Sequence, residues 1–273
     1  MKKTKVLLSI LIVFSITLAI TPPAIPQVGT YTFHGAPGNI KILKVRTVNN
    51  QSLEDLFGVN WVDVVELFGT GAANKGARKK SLVTAVNTSY LYDTTFFGVY
   101  EAAQYNTSNW DWTTEAFSDT PDSIGDIVVS LYDPTNVTYL INTMFAMNVS
   151  LHNAGALFAQ LPTSVAQYLG AIVWEPKWQN IGNTIVHSAE NGDGIFLTAF
   201  TYLEDCTETW TYDETYGAWI GYKIEDNETN TIYEFSVEVK TSAEIPGFEI
   251  PIILSVSMCI AVSLIYVFMK KRR

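Results

Sequence analysis

The chain has 273 residues, and its 27 Asp and Glu outnumber its 17 Lys and Arg, which gives a formal net charge of −10 at pH 7. The excess is larger between residues 22 and 249, where all 27 acidic residues but only ten basic ones lie, for a net charge of −17. A surface of this charge repels nucleic acid and anionic lipid headgroups, so no nucleic-acid partner is expected.

The first 21 residues have the pattern of a secretory signal peptide. Lys2, Lys3 and Lys5 precede an uncharged apolar run over residues 6–20, and secretion signals combine such a basic head with a short apolar body. An uncleaved anchor is the alternative, but the run is short for a bilayer core of about 30 Å. Residues 22–30 are Pro-rich and are predicted to be a linker.

Residues 31–240 are predicted to form an extracellular domain, with a seam near residue 150 as an alternative. In its first half, β-branched and aromatic residues favour strands, and one apolar face at helical spacing favours a helix. The predicted elements are a strand at Ile40–Val48 with 31–33 as its hairpin partner, a helix at 61–68 between an Asn60 cap and Gly69, strands at 81–86 and 95–105, an acidic loop at 106–122, and a strand at 127–132.

The second half combines two helices with a series of strands. Asp133 is predicted to cap a helix that begins at Pro134, the position where proline fits best, and a second helix covers 163–174 with an apolar face. Strands are predicted at 184–189 and 195–202 as a hairpin, then at 209–213, 218–225 and 231–240. The resulting fold class is α+β, a curved antiparallel sheet of short meandering strands with two or three packed helices.

No local motif assigns a catalytic, cofactor-binding or metal-binding residue. The segment 69–76 resembles a phosphate loop but lacks the Lys-Ser/Thr pair that such loops require. His34, His152 and His187 have no zinc-site spacing, and no nucleophile elbow is present. Each histidine is interpreted as structural, the basic run 78–80 as a solvated strand start, and the acidic residues of 111–126 as a solvated loop in preference to a calcium site.

Six Asn-x-Ser/Thr sequons are consistent with a glycosylated surface protein. The side chains of Asn106, Asn136 and Asn227 are predicted to face solvent. The candidate acceptors are Asn50, Asn87, Asn106, Asn136, Asn148 and Asn227.

Cysteine and aromatic residues give two further expectations. Cys206 lies in the proposed outer domain and Cys259 in the apolar C-terminal run, so an unpaired, non-catalytic Cys206 thiol is predicted. Aromatic side chains crowd one hairpin, where they either form core or contact a ligand such as a sugar or an apolar molecule. The candidate ligand contacts are Trp210, Tyr212, Trp219 and Tyr222.

The C-terminal residues have the pattern of a membrane anchor. Residues 250–269 contain no charge and, at about 1.5 Å per helical residue, match the roughly 30 Å of the hydrocarbon core. Four basic residues at 270–273 follow and predict a cytoplasmic tail, so the expected location is the cell surface with the N-terminal domain outside. Residues 241–249 are predicted to be a hinge, and the membrane lipid bilayer is the expected partner.

Ile245-Pro246-Gly247-Phe248, followed by the apolar run and the basic tail, resembles the C-terminal sorting segments of archaeal surface proteins. The resemblance implies that a sorting protease cuts near Pro246, Gly247 and Phe248 and attaches a lipid. A Thr-rich stalk is missing before the motif, so a retained helix is favoured. The strands around Trp210 and Tyr233 resemble uncharacterised archaeal surface ectodomains, and are also similar to lipoprotein-carrier half-barrels, in which a curved sheet and helices enclose an apolar cavity.

Three functions compete at this point. A non-catalytic surface protein for binding or envelope structure agrees best with the anchor, the acidity and the sequons. A membrane-tethered carrier of an apolar ligand, such as a lipid, is the alternative and requires a dry cavity between sheet and helices. An extracellular hydrolase is the third and requires a polar cleft that holds a histidine near carboxylates.

Overall fold

The computed structural model describes residues 31–93, 98–138, 159–195 and 200–241. The predicted signal peptide, the hinge after Thr241, the apolar run at 250–269 and the sequon at Asn148 lie outside these ranges. Within them, no helix has the length and apolar character needed to cross a membrane.

In the described residues, nine strands form one sheet in which every neighbouring pair is antiparallel. The sheet is curled into a half-barrel, and the spatial order of its strands is β4-β3-β2-β1-β9-β8-β7-β6-β5. This confirms the predicted α+β class with a curved antiparallel sheet, although strands dominate it. The strands are β1 Ile40–Val48, β2 Arg78–Asp93, β3 Val99–Thr113, β4 Ser123–Leu131, β5 Trp178–Ile181, β6 Thr184–Ala189, β7 Cys206–Tyr212, β8 Trp219–Asp226 and β9 Thr231–Thr241.

Short helices accompany the sheet. They are α1 Asn50–Phe57, α2 Trp61–Val65, a 3₁₀ turn at Glu66–Phe68, a helical turn at 134–138, and α3 Val165–Gly170. The Asn49 side chain caps α1 by accepting from the Ser52 amide at 3.3 Å, which is the role that asparagine takes at helix starts. Asn60 occupies the N-cap of α2 as predicted, although its side chain makes no capping bond, and Asp133 accepts from the Thr135 amide at 2.8 Å as predicted.

The helices between β1 and β2 cover the aromatic face of the sheet. Leu53 and Val64 are fully buried, and the Phe68 ring lies between Tyr222, at 4.6 Å, and Phe235, at 5.1 Å between ring centroids. Aromatic pairs at these separations contribute packing energy beyond their buried area. This cluster is the main core, and Phe68 is at its centre.

The segment around α3 spans the two edge strands of the curled sheet. The Tyr168 hydroxyl donates to the Leu131 carbonyl at the end of β4, at 2.7 Å, and α3 also contacts β5. Val165, Tyr168, Leu169 and Ile172 are all buried, as the predicted apolar face requires. The sheet therefore curls far enough for one short helix to touch both of its edges.

Several predicted elements are correct and others are wrong. β1 and β6 have the predicted bounds. Residues 31–33 form no strand; Thr32 instead bonds Thr163, and β1 pairs with β2 and β9. The partners of β6 are β5 and β7, not the predicted 195–202 segment. The predicted acidic loop 106–122 is wrong over its first part, because β3 continues to Thr113 and buries Trp110 and Trp112.

Candidate functional site

The sequons that the structure describes differ in exposure. Asn50, Asn87 and Asn227 are exposed, whereas Asn106 and Asn136 are half-buried. Asn106 lies inside β3 between two paired strands and accepts from the Gln104 side chain at 3.3 Å. A glycan at Asn106 therefore needs more local rearrangement than one at Asn227, which lies in the β8–β9 turn.

The four candidate ligand-contact aromatics separate into two groups. Trp210, Tyr212 and Tyr222 are core residues, with exposed fractions of 4%, 1% and 1%. Trp219 is half-buried and lines a cavity. Of these four residues, a ligand that enters the cavity can therefore touch only Trp219 without disturbing the core.

A buried carboxylate lies at the centre of the strands β6 to β8. Glu208 has no exposed area; it accepts from the Tyr202 hydroxyl at 2.8 Å and from the Tyr222 hydroxyl, and it contacts His187 Nδ1 at 2.8 Å. The Trp178 ring stacks on His187 at 3.9 Å between centroids. Burial, and then the charge of Glu208, raise the pKa of both tyrosines well above the usual value, which keeps them as donors.

The geometry of this network is that of a structural hydrogen-bond network. His187 is 6% exposed and every group around Glu208 is paired. A general base must reach a substrate proton, and neither His187 nor Glu208 lines the cavity described below. The network instead satisfies a buried charge, which is the requirement for keeping one inside a protein.

Cys206, the cysteine that the structure describes, is a free and buried thiol at the start of β7. Burial first, and then the neighbouring Glu208 and Asp205, raise its pKa far above the usual value. Because the thiolate is the reactive form, such a cysteine is a poor nucleophile.

A cavity of about 260 Å³ opens on the same side of the sheet as the aromatic core, between β1–β4, β8 and the segment 159–160. Phe68 and Phe235 belong both to the aromatic cluster and to the cavity wall. The walls are mostly apolar. Among the residues that line the cavity are Leu43, Phe68, Val83, Tyr105, Trp112, Val128, Ala159, Ala218, Trp219, Ile220 and Phe235.

Two polar groups of the cavity wall have fewer hydrogen-bond partners in the described residues than they can use. The Tyr105 hydroxyl is buried and makes no hydrogen bond in the described part of the chain. Burial raises its pKa, and the nearby Gly35 backbone opposes this only slightly. The Lys79 ammonium donates only to the Phe68 carbonyl at 3.3 Å and lies within 4.0 Å of no carboxylate in the same described ranges. Buried polar groups are nearly always paired, so the Tyr105 hydroxyl is an exception, and the half-buried Lys79 has donors to spare.

Sequence reasoning missed both residues. Lys79 belongs to the basic run 78–80, which was interpreted as a solvated strand start, and the strand does begin there. Alternation along β2 was the available signal, since Lys79, Ser81 and Val83 all line the cavity. Tyr105 was placed in a strand but given no role, because no local pattern distinguishes a tyrosine with an unpaired hydroxyl.

The described lining of the cavity lacks the histidine near carboxylates that the hydrolase hypothesis requires. Its described lining contains no His, Cys or Glu, and no group of three or more potential metal ligands is present among the residues that the structure describes. No family model, curated protein or solved structure matches this chain. The geometry of the cavity is therefore the main guide to function.

Proposed function

We propose that this chain is a non-catalytic binding protein, anchored at the cell surface, that takes up a small amphiphilic ligand in the cavity of its outer domain. The observation that carries the proposal is the combination of apolar walls with the unpartnered hydroxyl of Tyr105. Ligand sites are mostly apolar concavities with a few polar groups that orient the ligand. The aromatic rings of Trp112 and Trp219 supply rigid apolar contact area on two sides.

The location is part of the same proposal. The signal peptide at 1–21, the apolar run at 250–269, the tail at 270–273 and the sequons support an outer domain held to the membrane by one helix. Retention of that helix is favoured over cleavage near Phe248. An intact-mass measurement of the mature protein separates the two, because cleavage removes every residue after Phe248 and adds a lipid mass.

The ligand itself can be tested with a variant that fills the cavity. Val83 lines the cavity from β2, whereas the adjacent Thr84 is exposed and does not line it. The full-length chain is purified, extracted with organic solvent and analysed by mass spectrometry for a bound amphiphile. We expect the ligand in the parent protein and in Thr84→Trp, and its loss in Val83→Trp. Equal ligand content in both variants would contradict binding in this cavity.

A further inference from the structure

The charge of the cavity differs in sign from that of the domain around it. The described lining carries two cations, Lys41 and Lys79, and one carboxylate, Asp126. The region between residues 22 and 249 has a net charge of −17. A cationic lining within a strongly acidic domain is unexpected for a cavity that binds only neutral molecules. Placing an ammonium in an apolar wall costs desolvation energy, and a neutral ligand does not offset that cost.

Lys79 is held in place with part of its hydrogen-bonding capacity unused. Its ammonium has three donors, and the one described acceptor is the Phe68 carbonyl at 3.3 Å, which also accepts from Trp112 Nε1 at 3.0 Å. Adding a side chain at Gly69 would bring a carbon to 3.3 Å from Lys79 Nζ, so the loop packs closely against the lysine. This packing fixes the position of the ammonium beside the apolar wall.

The surrounding carboxylates leave the ammonium available. Asp126 is the acidic residue of the lining, and its carboxylate already accepts from Asn109 at 2.6 Å and from Ser123. Burial lowers the pKa of Lys79, and the charges of Asp111 and Asp126 offset this only in part. A partly desolvated ammonium gains more from a bound anion than a fully hydrated one does.

We infer that the cavity selects anionic amphiphiles, with the negatively charged headgroup bound by Lys79 and the apolar part held against Phe68, Trp112 and Trp219. This inference rests on the proposed function and adds the chemical class of the ligand. Charge-assisted hydrogen bonds to an ammonium are among the strongest that a protein makes. Acidic residues more than about 8 Å from the bound anion repel it only weakly, because physiological salt screens their charge over that distance.

The size of the cavity limits the apolar part. At roughly 30 Å³ for each water-sized group, about 260 Å³ holds on the order of nine such groups. A single medium-length chain fits, and decanoate is therefore a suitable anionic probe. Decanol has the same chain length without the charge and serves as its neutral match.

The test compares the two probes on the full-length chain in lipid nanodiscs, with empty nanodiscs as the blank for bilayer partitioning. Binding is followed by tryptophan fluorescence, since Trp112 and Trp219 line the cavity. We expect the parent protein to bind decanoate about tenfold more tightly than decanol, as a buried charge-assisted bond implies. Lys79→Met should lose that preference and leave decanol affinity within about twofold.

Lys80→Met is the matched control. Lys80 is the next residue of β2, does not line the cavity, and places its ammonium 3.3 Å from the centre of the Trp110 ring. It should keep the preference for decanoate. Lys79→Arg, which preserves the charge, should keep most of it and shows that the site tolerates substitution.

The outcomes are distinguishable. If the parent protein binds decanol as tightly as decanoate, or if Lys79→Met weakens both probes equally, the anionic selectivity is refuted while the binding cavity remains. If the parent protein binds neither probe, the proposed function fails together with this inference. The comparison of the two probes on the parent protein does not depend on the folding of any variant.

Discussion

In the half of the sheet formed by β5 to β9, the buried carboxylate of Glu208 is matched by two tyrosine hydroxyls and an imidazole nitrogen. In the half formed by β1 to β4, the buried hydroxyl of Tyr105 has no partner among the described residues, and Lys79 has only a shared carbonyl. Both halves belong to one continuous sheet. They differ in whether their inward polar groups are satisfied by the protein itself.

This difference distinguishes polar groups that stabilise the fold from polar groups that are available to a ligand. An unpaired buried polar group costs about 1–3 kcal/mol, so a protein keeps one only where something else offsets the cost. The network around Glu208 is complete and its removal should affect stability. The groups in the cavity are incomplete, and their removal should affect binding more than stability. Four predictions follow this division, from the largest effect to the smallest.

Glu208→Ala should produce the largest loss of stability. The substitution removes the shared acceptor of Tyr202 and Tyr222 and leaves His187 without its carboxylate in a buried site. Breaking a buried ionic network typically costs about 3–5 kcal/mol. Chemical unfolding of the full-length chain, followed by tryptophan fluorescence, measures the change in the free energy of unfolding.

Glu225→Ala is the control for that experiment. Glu225 lies on the adjacent strand β8 and pairs with Lys223 at 2.8 Å, but both side chains are partly exposed. Such surface pairs contribute about 0–1 kcal/mol. Equal losses for the two variants would mean that the buried network is no more important than a surface ion pair.

Gly217→Ala should give the next largest effect, because it tests the segment that closes the cavity above β8. Gly217 has φ +66°, and an added Cβ would lie 1.9 Å from the Leu161 carbonyl oxygen. Gly217 also accepts from the Leu161 amide at 2.7 Å, so a displacement breaks this bond. Backbone strain together with the steric clash should cost about 3 kcal/mol.

Gly192→Ala separates strain from clash. Gly192 has φ +92°, and apart from its chain neighbours no atom of the described residues lies within 4 Å of its added Cβ. Only the backbone term applies there, at about 1–2 kcal/mol. If thermal unfolding shows the same loss for both variants, the contact between residues 161 and 217 is not tight.

A pair of Tyr→Phe substitutions compares the two halves directly. Tyr202→Phe removes a 2.8 Å donor to Glu208 and should cost about 1.5–3 kcal/mol, the range for hydrogen bonds to charged groups. Tyr105→Phe removes a hydroxyl without a described partner and should leave stability unchanged or slightly raised. The same variant should weaken ligand binding. A large loss of stability in Tyr105→Phe would show that its hydroxyl is satisfied by the protein.

The fold class could be predicted from the sequence because most strands have a clear local pattern of β-branched or alternating residues. The run Ile40–Val48 is rich in β-branched residues, and the alternation in 231–240 places Tyr233 and Phe235 on one face, where both are buried. The missed part of β3 contains Asn106 and Asn109 among its aromatic residues, and asparagine is typical of loops. Pairing with β2 and β4 outweighed that local preference.

The candidate site was not predictable in the same way. Glu208 lies just before the predicted strand 209–213, and its partner His187 is 21 positions away on a neighbouring strand. Their proximity depends on the register of β6 against β7, which places the two residues opposite each other. Register is a property of the whole sheet. The unpartnered state of Tyr105 likewise depends on distant residues that local patterns do not describe.

Asp126→Asn should have the smallest effect, and its sign tests the electrostatics of the cavity. Hydrogen bonds from Ser123 and Asn109 lower the pKa of Asp126, with a further contribution from Lys79, although burial opposes them. The carboxylate thus contributes stability above its unfolded pKa of about 3.8 and loses it as the pH falls through the lower folded pKa. Because Asp126 is exposed, the contribution is less than about 1 kcal/mol.

The same substitution removes the one carboxylate of the described lining, which competes with a bound anion for the Lys79 ammonium. We expect Asp126→Asn to raise decanoate affinity about twofold at pH 7 and to leave decanol affinity unchanged, since only an anion responds to the lost charge. The stability difference from the parent protein should shrink below pH 3.8, where the native carboxylate also becomes protonated. Unfolding curves of both proteins, recorded about every pH unit between pH 2 and pH 7, measure this difference in the free energy of unfolding. Weaker decanoate binding in this variant would instead show that Asp126 supports the headgroup site through its bond to Asn109.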